Sequence, residues 1–154
     1  MSDARWSEIE ADASAAVNHF SHAVRIYHDA GLQADTDDGY LRRMAFMHAM
    51  LAGHTSAENA LLRILEIQRE EQPTGRQWHA DLIQRAGRSM QSRPAILSAE
   101  LVQAMDRTRR FRHVAAHAYD TFDPDDAEPA VRAAAKVAAG FAAAITAYRG
   151  AIDP

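Results

Sequence analysis

Leu101-Val-Gln-Ala-Met-Asp-Arg-Thr-Arg-Arg-Phe-Arg-His-Val-Ala-Ala-His-Ala-Tyr119 decides how the rest of the chain reads. Leu101, Met105, Thr108, Arg112, Ala115 and Tyr119 recur at steps of three and four, which is one face of an amphipathic helix. Ser98 is placed to cap it, with Glu100 in its first turn, so a helix is expected from about Ser98 to Tyr119. Arg112 and Tyr119 continue the line begun by Leu101 and Met105. The basic end of the segment is therefore expected on the inward seam. That end spells R-x-x-x-x-H-x-Y through Arg112, His117 and Tyr119. An arginine, an imidazole and a phenol in this order can bind a phosphodiester, move its protons and carry a regulatory hydroxyl.

The flanking sequence has the same helical period. Trp6, Ile9, Ala13, Ala16, Phe20, Val24 and Tyr27 predict a first helix from about Arg5 to Ala30, stopped by Gly31. A second helix is expected from about Gly39 to Glu70, capped by Asp37 or Asp38, with a seam of Leu41, Met44, His48, Leu51, Thr55, Glu58, Leu62 and Leu65. Glu58 on that seam is costly unless it meets a cation or hydrogen-bond donors, so it predicts a basic partner. A shorter helix with Trp78, Leu82 and Ala86 on one side should run from Gln77 to about Ser89, capped by Thr74. After the acidic, proline-bearing stretch Asp120 to Pro129, a last helix carries Val131, Ala134, Ala138, Phe141, Ile145 and Tyr148. Strand-like alternation is nearly absent. The expected fold is all-α, an up-and-down bundle of four to five helices over one domain, residues 1–154.

The chain has 154 residues, enough for one domain that buries about two-thirds of its unfolded surface. With no cysteine, disulfides, thiol catalysis and thiolate metal sites are excluded. The N-terminus has no apolar leader, and no later stretch approaches the roughly 18 apolar residues of a membrane span, so a soluble, cytoplasmic protein is expected. Net charge is −4, so attraction to nucleic acid must come from a local patch. Asp106 to Tyr119 supplies one, with four arginines against one carboxylate.

On an ideal helix Arg112 and His117 point about 140° apart, whereas Arg112 and Tyr119 lie within about 20°. A shared site needs the reach of the arginine, an unwound last turn, or a second copy across a two-fold axis. The two-fold arrangement is favoured, since paired copies supply a base, an acid and two cations. Arg112 alone also reads as a buried ion pair with Glu58.

The segment Phe111-Arg-His-Val-Ala-Ala-His-Ala-Tyr119 resembles the R-x-x-x-x-H-x-Y signature of HepT-type proteins of the HEPN superfamily. Trp78-His-Ala-Asp-Leu82, Arg93-Pro-Ala-Ile-Leu-Ser98 and Ser56-Ala-Glu-Asn-Ala-Leu-Leu-Arg63 resemble further blocks of a HepT-like subgroup, so the likeness covers about Tyr40 to Asp123. It implies a HEPN-type bundle and a metal-independent endoribonuclease leaving 2′,3′-cyclic phosphate, needing no cofactor. It also implies a homodimer, the toxin of a pair whose antitoxin is a nucleotidyltransferase that adenylylates the motif tyrosine. By position, His117 is the acid/base, Arg112 the phosphate anchor, His113 a second acid/base and Tyr119 the modified hydroxyl. Arg109 and Arg110, with Arg107, are placed to grip RNA backbone, although a solvated charged face accounts for them as well. Glu58 is counted with the binding residues.

Other readings stay open. His113 and His117 stand at metal-ligand spacing, but with no carboxylate between them Asp120 or Asp123 would have to complete a site. His19 and His22 read as boundary residues, and His48 as a core histidine beside Glu58. The alternative function is a catalytically silent module that binds RNA, a nucleotide or a protein partner in the same groove. A plain helical adaptor gives no reason for Glu58 and Arg112 to occupy core-like positions.

Overall fold

A computed structural model describes residues 3–117 and 122–153. Among them are five α-helices and no strand: α1 (Asp3–His28), α2 (Asp37–Ile67), α3 (Trp78–Ala86), α4 (Ala99–His117) and α5 (Glu128–Ile152), the last preceded by a 3₁₀ turn, Pro124–Ala127. α1 packs along α2 and α5, while α4 packs on α5 and α2 with the short α3 against its side. Trp6, Phe20, Phe46, Met50, Leu61, Ile64, Met105, Phe141 and Ile145 are all buried in a single core. The expected stripes of α1 and α5 face that core, as does that of α4 from Leu101 to Thr108.

α2 departs from its expected register. Its buried line is Phe46, Met50, Gly53, Ala57, Leu61 and Ile64, while Leu41 is 63% exposed and His48 lies in solvent. The helix carries two apolar stripes, and packing selects the one with Phe46 and the small residues Gly53, Ala57 and Ala60, which let α1 approach closely. His48 is therefore not the core histidine beside Glu58; that position belongs to His54, buried one turn before it.

Two expected caps also differ. Thr36, not Asp37 or Asp38, caps α2, its Oγ1 accepting from Gly39 N at 3.0 Å. α3 has no side-chain cap, so Thr74 does not serve there. Ser98 does cap α4, its Oγ accepting from Leu101 N at 3.2 Å.

Between α3 and α4 the chain turns tightly, with Met90 N donating to Arg93 O at 2.8 Å and Arg93 N to Met90 O at 3.2 Å. The turn delivers the Arg93 side chain into the interior, where Nε and Nη2 donate to the two Glu70 oxygens at 2.5 and 3.1 Å. Backbone carbonyls of Arg85, Arg88 and Pro94 accept the remaining protons, so the buried guanidinium is satisfied.

The 3₁₀ turn and α5 together, Pro124–Ile152, contain an 18-residue window apolar enough by length and composition to cross a membrane, with a mean hydropathy of 1.3. That corrects the expectation that no stretch approaches such a span. Here Val131, Ala134, Val137, Phe141, Ile145 and Tyr148 are buried in the bundle core, and 39% of that window is buried.

Candidate active site

The last two turns of α4 and the first turn of α3 enclose a cleft of about 350 Å³, lined by Arg76, Gln77, His79, Ala80, Arg109, Arg112 and His113. Phe111, buried against Phe46, fixes the rotation of α4 and so turns Arg112 and His113 toward α3. Arg112 is half-buried, and its Nε is shut from solvent with no hydrogen-bond partner among the described residues. A buried donor in that state is costly, and a ligand oxygen would relieve it.

His113 is exposed on the rim. His117, one turn on, is exposed at the end of α4 with its ring 4.8 Å from that of His113, and it does not line the cleft. Arg109 lines it while held by Asp106 at 2.8 and 3.0 Å. Arg110 pairs with the other Asp106 oxygen at 2.9 Å and faces away, toward Gln84 and Val102. Tyr119 and Asp120 lie outside the described residues. Asp123 caps the 3₁₀ turn, accepting from Asp125 N. His22 bonds the carbonyl of Asn18.

Glu58 finds the basic partner its position demanded, but the partner is not Arg112. The carboxylate is 3% exposed and lies under the cleft, with Oε2 at 2.6 Å from His79 Nδ1 and 3.3 Å from His54 Nε2. The contact to His54 is the longer and less well aligned of the two. Behind it, Thr108 donates its single hydroxyl proton to Met105 O at 3.0 Å, so at the 2.8 Å contact between Thr108 Oγ1 and His54 the imidazole Nδ1–H is the donor. Burial pushes the Glu58 carboxyl up, but hydrogen bonding and charge from His54, and then His79, outweigh it and hold the group below the ordinary carboxylate range.

His79 is a cleft-lining imidazole that residue-by-residue reading missed. Its signal was the Trp78-His79 pair at a helix start, and in the fold the two rings stack with centroids 3.6 Å apart. A second basic depression, of about 250 Å³ between α4 and α5, carries Arg107, Arg132 and Lys136 but no imidazole. It can hold an anion but offers nothing that exchanges protons near neutrality.

Fold and site define an all-α bundle whose fourth helix brings a guanidinium and imidazoles to one cleft. A family model described as HepT-like protein matches residues 45–152, and the chain belongs to that family, within the HEPN superfamily. The match runs through α5, past the Asp123 limit of the motif resemblance, and leaves α1 outside. Comparison with curated proteins and with solved structures returns no match.

Proposed function

We propose that this HepT-like protein is a metal-independent endoribonuclease, cytoplasmic, and the toxin of a pair with a nucleotidyltransferase. The observation that carries the reading is the Arg112 cleft: a half-buried guanidinium with a buried donor that no described residue satisfies, beside imidazoles, in an otherwise acidic protein. Arg112 and Arg109 hold the phosphodiester and offset the charge gathering on phosphorus. His117 takes the ribose 2′-OH proton, His113 stands as a second proton carrier, and Tyr119 is the hydroxyl that adenylylation would block.

The protein acts as a homodimer in this reading. His117 stands outside the cleft of its own chain, and a two-fold axis supplies the second copy that a shared groove needs. The same position of His117 favours a second reading, a silent module that binds RNA, a nucleotide or a protein partner on the basic cleft. Purified protein incubated with RNA in EDTA separates the two. Fragments ending in 2′,3′-cyclic phosphate, lost by about 10²-fold or more in His117→Ala, are expected of the enzyme. Retention of RNA without cleavage would leave the binding module.

A further inference from the structure

We propose that His79 is a catalytic residue of this cleft, the general acid that protonates the departing 5′-oxygen, with Glu58 as its positioning residue. The inference rests on the ribonuclease reading and assigns the step which that reading leaves without a committed donor.

Glu58 Oε2 accepts at 2.6 Å from His79 Nδ1, so Nδ1 carries a proton and the nitrogen left for a ligand is Nε2. No hydrogen bond among the described residues engages that Nε2, and it is not sealed from solvent. The side chain is one-quarter exposed and lines the cleft together with Arg112, Arg109 and His113 of α4 and Arg76 of the preceding loop. The stacked Trp78 ring and the Glu58 bond together fix the imidazole plane. A buried carboxylate behind an imidazole orients it and stabilises its protonated form, which is the form a general acid must have before the reaction.

The pairing compensates the buried Glu58 and at the same time sets His79 in the wall of the cleft. Glu58 already faces the buried His54, whereas His79 reaches Glu58 from a separate short helix whose first turn forms the cleft wall. In the step itself the 2′-OH proton passes to His117 as the O2′–P bond forms. The P–O5′ bond breaks and its electron pair takes the Nε2 proton of His79. The products are a 2′,3′-cyclic phosphate and a 5′-hydroxyl, with Glu58 remaining a carboxylate throughout.

The test compares full-length wild type, His79→Ala, His79→Asn and Glu58→Gln on ordinary RNA and on the same RNA with a bridging 5′-sulfur, a leaving group that departs without a proton. The asparagine amide still donates to Glu58, so that variant keeps the fold while removing the acid. Both His79 variants should lose about 100-fold or more in kcat on ordinary RNA with little change in KM, lose the alkaline limb of the pH profile, and recover to within about 10-fold of wild type on the thio substrate. Glu58→Gln should show a smaller loss with the same recovery. Wild-type kcat in the His79 variants, or an equal loss on both substrates, overturns the assignment while leaving the ribonuclease standing. A wild type inert on both RNAs overturns both.

Discussion

Glu58 puts an ionisable carboxylate under the wall of the cleft, and its electrostatics make a thermodynamic prediction. Its carboxyl is held below its unfolded-state value, so its contribution is fully present above the ordinary carboxylate pKa and is lost as pH falls through the depressed folded value. Within that window the unfolded chain binds the proton first. Glu58→Gln should therefore be less stable than wild type at neutral pH, because His54 and His79 lose the carboxylate they face. The gap should shrink as pH falls below about 4.5, the usual carboxyl range. Urea melts of the two proteins across that range measure it; a gap that widens on acidification refutes the assignment. The need for a basic partner could be read from the sequence, since a carboxylate amid leucine spacing must be compensated. Its identity could not: His79 reaches it from another helix, and His54 stands one turn before it, beside the assumed seam of α2 and not on it.

At the scale of the elements, α1, α4 and α5 were legible because each carries one apolar stripe and so has one way to face a core. α2 was not, because it carries two, and the choice depends on which stripe its neighbours can approach. Gly53 shows what decides it. A β-carbon there would stand 2.9 Å from two atoms of the buried Phe20 ring, so glycine sets the approach of α1 to α2. Alanine at an ordinary helix interior gains about 1 kcal/mol over glycine, whereas overpacking a filled core costs about 1–3 kcal/mol. Gly53→Ala is accordingly expected to destabilise, lowering Tm by a few degrees, and a rise in Tm would mean that the α1–α2 spacing is slack. The motif helix was read well up to Phe111. Beyond it the sequence placed Arg112 and Tyr119 on one line, and the fold accounts for the arginine, half-buried at the cleft, while Tyr119 lies outside the described residues.

For the whole molecule, one chain carries the arginine and the second imidazole of its motif in different places: Arg112 in the cleft, His117 one turn beyond it. A two-fold pairing that completes the site across copies has a consequence that folding defects cannot imitate. Arg112→Ala and His117→Ala homodimers are each inactive, because every composite site in them lacks one group. When the two variants are mixed and allowed to exchange subunits, about half of the dimers are mixed, and each of these rebuilds one intact site from the arginine of one chain and the histidine of the other. The mixture should then recover about one-quarter of wild-type ribonuclease activity, since the remaining site of each mixed dimer lacks both groups. If the site is completed within each chain, no combination restores a working pair and the mixture stays dead. Recovery that tracks the fraction of mixed dimers, measured by mass after exchange, separates the two arrangements. It does so without either variant having to match the stability of the wild type.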